Sequence, residues 1–266
     1  YNGNDHCRTR KGPSRLTGFL GPFETGWFGM SSAPGPSAQR SATAGSKTLV
    51  WCDEPGLAFP AYPAAVKAGG LVFTSAVRGR SAGRGFGDLP GEGRGKEQGF
   101  PGIDETEGEV AVSAWAAHAG LETVLAACGA DTDQILRQHV WQRDKRYFPV
   151  YEAVRKHWQP TPAPSSGLGV GDLGAYGDPW IGLDAIAVEK GANPLYTDRA
   201  VVAAVDHRAL PSASHYSQAV RTGPLVFTAG HIPIKTSEPG KPVVSGFDDV
   251  SPEGRFLATG RSHPDS

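Results

Sequence analysis

Between positions 180 and 188 the chain alternates. Ile181, Leu183, Ala185 and Ala187 fall on one side of an extended segment, with Trp180, Gly182, Asp184, Ile186 and Val188 on the other, which predicts a strand. Upstream the period lengthens: Ala114, Ala117, Leu121, Val124, Leu125 and Cys128 recur at three- and four-residue steps. With acidic residues at its start near Glu109 and Gly129 where a stop belongs, this segment predicts a helix. Positions 135–142, which include Val140 and Trp141, read as a strand. Positions 148–158 read as a second helix, with Phe148, Tyr151, Val154 and Trp158 on one stripe and Pro160 ending it. A proline-rich corner over 161–170 leads into a further strand, 48–51 reads as an added edge strand, and 200–205 as a short strand. Both faces of the 180–188 strand are apolar, whereas one layer of helices covers one face. Trp180, Ile186 and Val188 therefore require a second cover, a partner domain or subunit, with Asp184 near the seam.

A repeat organises the chain. The segment YPAAVKAGGLVFTSAV at 62–77 returns as YSQAVRTGPLVFTAGH at 216–231, with Tyr62/Tyr216, Ala65/Ala219, Val66/Val220, Gly69/Gly223, Leu71/Leu225, Val72/Val226, Phe73/Phe227 and Thr74/Thr228 aligned without a gap. Each copy reads as a β-hairpin turning at Gly69-Gly70 or Gly223-Pro224. The resulting plan is a mostly disordered lead-in over 1–57, a complete domain over 58–190, a connection over 191–210 and the start of a second, incomplete copy over 211–266. The first residue is Tyr, not Met, and the chain is read as a piece of a longer protein, unstable or self-associating by itself.

Composition narrows the partners. A formal charge of −1 supplies no field to attract nucleic acid or an anionic membrane, and neither is expected as a partner. Three scattered cysteines, Cys7, Cys52 and Cys128, lack the spacings of a disulfide framework or zinc site and suit a reducing, cytoplasmic setting. No 18-residue apolar run stands out as a membrane span. The aromatic residues Phe19, Phe23, Trp27 and Phe28 read as a loosely packed arm, and the Arg- and Gly-rich stretch from Arg78 to Gly108 as a long solvated loop whose acids answer its cations. Loops of that length often cover a site.

The order hairpin, helix, strand, helix, strand, strand carries short motifs with it. They are Tyr216-Ser217-Gln218-Ala219-Val220 and Leu225-Val226-Phe227-Thr228-Ala229-Gly230 in the second copy, and Ala126-Ala127-Cys128-Gly129-Ala130, Phe148-Pro149-Val150-Tyr151, Pro162-Ala163-Pro164-Ser165 and Leu183-Asp184-Ala185-Ile186-Ala187 in the first. This succession resembles the Rid (YjgF-type) family, the reactive-intermediate deaminases, over about 60–188 and 211–234. The resemblance implies a duplicated α+β fold, a mixed β-sheet backed by two α-helices on one face (Rid/chorismate-mutase-like). It also implies self-association or a pseudo-trimer through the sheet face, with small-molecule metabolites bound in clefts between domains. The family's chemistry is hydrolysis of imines or enamines without a cofactor. An arginine of the PAR motif binds the substrate carboxylate, and an acid of the last strand positions water. Pro164 stands in that arginine's slot, Tyr151 in an Asn slot, His231 in a Gln slot, and Asp184 in the Glu slot.

Two function classes follow: a binder, and possible hydrolytic deaminase, of small imine, enamine or carbonyl metabolites, or a non-catalytic ligand-binding or assembly module that has lost the carboxylate-binding arginine. The candidate catalytic residues are Asp184, an acid that needs a partner on an interface face, and His231, a histidine able to titrate near neutrality. Tyr62, Tyr151, Tyr216 and Ser217 are the candidate substrate contacts, each with a plain packing or capping role as its competitor. Among the eight histidines no HxH or HxxxH spacing occurs, so no metal is expected.

Overall fold

The computed structural model describes residues 39–52, 62–81, 83–90, 106–174, 178–196, 199–202, 214–232, 239–240 and 243–250. The aromatic arm around Phe19 and Trp27, Cys7, and positions 91–105 of the Arg- and Gly-rich stretch lie outside the described residues. Eight strands make one mixed sheet: β1 (Gln39–Ala44), β2 (Lys47–Cys52), β3 (Ala65–Ala68), β4 (Leu71–Thr74), β5 (Val77–Gly79), β6 (Ile135–Gln142), β7 (Ser165–Gly169) and β8 (Ile181–Val188). Their order is β1-β2-β3-β4-β8-β6-β7, with β5 continuing the β4 edge against β8. The sheet thus begins at Gln39, inside the stretch read as lead-in, and β2 lies one place in from the edge, which β1 occupies.

The helices α1 (Thr106–Ala127) and α2 (Phe148–Trp158) pack together on one face, as the α+β reading requires. The turn between β3 and β4 places Gly69 at φ 61 and Gly70 at φ 89, left-handed values that suit a two-residue hairpin. At the end of α1, Gly129 (φ 76) lets Ala130 N–H reach the Leu125 carbonyl at 2.9 Å and its own N–H reach Ala126 at 3.0 Å, closing the helix as a Schellman motif. The core beneath the helices is made by Val72, Leu121, Val124, Leu125, Val140, Val154 and the inward side of β8: Ile181, Leu183, Ala185 and Ala187. α1 is long and apolar enough to cross a membrane, contrary to the expectation of no such run, yet it is the most deeply buried helix of the core.

Trp180 departs from the alternation. Its backbone N–H and that of Ile181 both donate to Ser113 Oγ on α1, at 2.9 and 3.0 Å, which pins the chain to the helix just before β8 begins. The Trp180 ring consequently turns to the helical side, edge-on to Tyr147, with Nε1 donating to Glu109 at 3.1 Å. Ile186 and Val188 do face the other way and are covered, by a second sheet.

That second sheet consists of β9 (Arg199–Val202), β10 (Ala219–Thr222) and β11 (Leu225–Thr228), in the order β11-β10-β9. Val220 is fully buried with Leu136 and Val188, and Phe227, Ile186, Leu71 and Tyr196 close around them. The cover demanded by the apolar pattern is supplied from within the same chain.

His118 carries a pH consequence. It is buried on α1, stacked on Tyr151 and Trp158, with both ring nitrogens lacking a hydrogen-bond partner. Burial, with smaller contributions from Arg155 and His157, pushes its pKa down to about 3. The folded state therefore binds this proton less readily than the unfolded chain, so its contribution to stability is intact above pH 6.5 and declines as pH falls toward 3. In urea titrations from pH 7 to 4, His118→Phe is expected to flatten this decline; an unchanged slope would remove His118 as its source.

Candidate functional site

The face of the large sheet opposite the helices carries a polar row. A register shift between Ile135 and Arg137 marks a bulge in β6. Ile135 lies in the helical core, but Leu136 joins the far-face cluster and Arg137 comes level with Ile186. Past the bulge, Arg137, His139 and Trp141 project from the far face, while Gln138, Val140 and Gln142 turn inward. Across the strands, Asp184 of β8, His139 of β6 and Ser166 of β7 occupy one level.

Asp184 is the hub. Its Oδ1 lies 2.8 Å from His139 Nδ1, and its Oδ2 accepts from Trp141 Nε1 at 2.6 Å. An ionised carboxylate only accepts, so Nδ1 is the donor, and in neutral imidazole that leaves Nε2 with a free lone pair. The pair is half-buried, at 32% and 22% side-chain exposure, dry enough to hold its geometry and open enough to meet a small solute. Beside it Arg137 Nη2 donates to Ser166 Oγ at 3.0 Å.

The second sheet borders this row. Gly230, just past β11, donates its N–H to the Ser165 carbonyl at 3.1 Å, and a Cβ on Gly230 would lie 2.6 Å from Ser166 Oγ. Only a residue without a side chain lets the end of β11 run this close over Ser166. Ser217 donates its hydroxyl to Pro162 O at 2.6 Å and its N–H to Ala163 O at 3.3 Å, while Arg199 of β9 donates to Ile135 O and Pro162 O. One side of the site is thus the first sheet and the other the second.

The sequence candidates separate. Asp184 is in the row. Ser217 is buried and serves as a staple between the two sheets. His231 is exposed, its Nδ1 facing the carbonyl of Ala229 two residues back, past the end of β11, at 2.9 Å, and no hydrogen bond or ion pair joins it to Asp184. Tyr151 is placed otherwise than the family slot suggested: it is fully buried among the helices, stacked on His118, and burial pushes its phenol pKa up. Tyr62 is exposed ahead of β3, and Tyr216 is half-buried, its N–H donating to Ser214 O. Arg137, His139 and Trp141 escaped the sequence reading. Their spacing of two was visible, but strict alternation from Ile135 would have sent all three under the helices. Among the described residues no cluster of His, Cys, Asp and Glu could hold a metal ion.

No protein-family model matches the chain, and no curated protein matches it. Among solved structures the chain is similar to a candidate endoribonuclease from Klebsiella pneumoniae, at 22% identity over 48% of this chain and 99% of the other, with a TM-score of 0.43. It is similar to a member of the highly conserved YjgF/YER057c/UK114 family from Mycobacterium tuberculosis, at 20% identity over 54% of this chain and 99% of the other, with a TM-score of 0.39. It is similar too to RidA from an Antarctic Psychrobacter, at 18% identity over 49% of this chain and 90% of the other, with a TM-score of 0.36. The names of the second and third, YjgF/YER057c/UK114 and RidA, are names of the family that the sequence motifs resemble.

Proposed function

We propose that this chain is a Rid-type protein that binds small imine, enamine or carbonyl metabolites on the far face of its large sheet and hydrolyses the C=N bond of an imine. The observation that carries this reading is the Asp184 carboxylate held between His139 and Trp141 beside the bordering second sheet. In the reaction, water oxygen adds to the imine carbon and His139 Nε2 takes the water proton. That proton passes to the imine nitrogen to complete the carbinolamine, whose hydroxyl proton is then carried by Nε2 to the amine as the C–N bond breaks, giving the carbonyl and ammonia. Asp184 holds the imidazole tautomer and offsets the charge that His139 gains.

A duplicated architecture is part of the proposal. β3 and β4 pair as Ala65↔Thr74 and Val66↔Phe73, and β10 and β11 pair as Ala219↔Thr228 and Val220↔Phe227, residues that align in the repeat. The preceding strands also correspond: β2 pairs Val50↔Ala65 and β9 pairs Val202↔Ala219. Three strands, not two, therefore recur.

The test is ammonia release from freshly generated 2-imino acids. The protein is expected to accelerate release, and Asp184→Asn to slow it by about a hundredfold, the low end for a general acid–base group. No acceleration by the unaltered protein would end the deaminase reading.

A further inference from the structure

His139 stands between an acid and a hydroxyl. In the register of the sheet Asp184 lies beside it on β8 and Ser166 beside it on β7, and neighbouring strands run about 5 Å apart, so the three side chains rise from one face at one level. Because Nδ1 is turned to Asp184, at 2.8 Å, the Nε2 lone pair on the opposite edge of the ring points away from β8. Ser166 is half-buried, and its hydroxyl is used differently from others in the molecule. Ser75, Ser81, Ser113 and Ser217 each spend the hydroxyl proton on a backbone carbonyl. Ser166 Oγ instead accepts, from Arg137 Nη2 at 3.0 Å, and among the described residues no acceptor takes its proton. A guanidinium held on that oxygen favours the alkoxide over the hydroxyl.

We propose that Ser166, His139 and Asp184 form a nucleophile, base and acid set that transfers short apolar acyl groups from carboxylic esters to water, an activity apart from imine hydrolysis. It shares with the proposed function only the reading of His139 and Asp184 as a base and its partner. Ser166 Oγ bonds to the ester carbonyl carbon as His139 Nε2 takes the hydroxyl proton, and the Arg137 guanidinium faces the charge that collects on the carbonyl oxygen. The bond to the alcohol oxygen breaks, the alcohol leaving with the proton from Nε2, and an acyl-serine remains. Water then adds to the acyl carbon with its proton passing to Nε2; the bond to Oγ breaks, Oγ recovers that proton, and the carboxylic acid departs. The chain order His139, Ser166, Asp184 is no obstacle, since such sets are defined by geometry and roles. No hydrogen bond joins Nε2 to Ser166 Oγ, and contacts of this kind commonly tighten only around bound substrate. Leu168, the next outward residue of β7, is 41% exposed and level with Trp141, an apolar strip for the acyl chain. A Cβ on Gly230 would lie 2.6 Å from Ser166 Oγ, so the end of β11 leaves little height above the serine. Both features favour a short, unbranched acyl group.

The experiment treats the full chain with an alkyl fluorophosphonate, which phosphonylates an activated serine with loss of fluoride, and maps the adduct by peptide mass. An adduct on Ser166 is expected, and p-nitrophenyl butyrate is expected to release about one equivalent of p-nitrophenol per chain in an initial burst as the acyl-serine accumulates. His139→Gln and Asp184→Asn, each with the helical signal of the unaltered chain, are expected to slow labelling by about a hundredfold or more. No adduct, an adduct elsewhere with Ser166 unmodified, or labelling that both variants leave at full rate would each overturn the assignment. A Ser166 adduct without acceleration of ammonia release from 2-imino acids would uphold acyl transfer and remove deamination; ammonia release without the adduct would remove acyl transfer alone.

Discussion

Replacing Val220 by Asp is expected to detach the second sheet while leaving the first largely folded. Val220 is fully buried between Leu136 and Val188. A carboxylate there has no partner in the apolar cluster and would cost of order 3 kcal/mol or more. Undocking β9–β11 relieves that cost at the loss of a small cluster and a few hydrogen bonds, those of Ser217, Gly230 and Arg199. The core under α1 and α2 shares none of these residues. Hydrogen exchange is therefore expected to rise steeply at 219–228, with protection retained in α1 and in β8, whose backbone pairs with β4 and β6 in the first sheet. Uniform loss of protection, or none, would show that the two sheets do not separate in this way.

Glu152→Ala is expected to cost about 3–5 kcal/mol of global stability, the range for removing one partner of a buried ion pair. Arg155 is almost wholly buried and donates to Glu152 at 3.3 Å, to Gln159 at 3.2 Å and to Ala163 O at 3.0 Å. Without the carboxylate its charge stays buried and unanswered. Glu152 also accepts the backbone N–H of His215 at 2.7 Å, and the His215 ring meets the Gln159 carbonyl at 2.6 Å, so the same deletion loosens the segment leading into β10. Glu152→Gln keeps an acceptor for His215 and should cost less. Urea midpoints of the two variants check this; equal losses would mean that the charge itself is unimportant.

Periodicity made the elements legible, and its local failures hid the site. The limits of β6 and α2 follow the pattern closely, and the inward residues of β8 are those its alternation assigns. The need for a second apolar cover was legible in Ile186 and Val188, but not in Trp180, because two backbone bonds to Ser113 turn the chain one residue before the strand starts. β1 was missed because its polar and small residues, QRSATA, form a strand through pairing with β2 and not through a buried face of their own. The site was half legible. Asp184 could be placed by alternation and motif, whereas Arg137, His139 and Trp141 depend on a bulge that no composition rule announces. His231 and Ser217 looked chemical in sequence because hydroxyl and imidazole are versatile groups, yet Ser217 is occupied in holding one sheet to the other.

The order of strands in the large sheet sets a timetable for the growing chain. β8 lies between β4 and β6, so the strands made before it form two separately paired pieces, β1–β4 and β6–β7, with no strand between them. Until Val188 has left the ribosome the inner edges of both pieces are bare, and Phe73 and Arg137 lack the strand that aligns them. Asp184 arrives on that last strand, so the carboxylate at the centre of the site and the strand that completes the sheet appear in the same moment of synthesis. Nascent chains halted near residue 170 should consequently be the form most prone to edge pairing and aggregation, and release past 190 the step at which that tendency disappears.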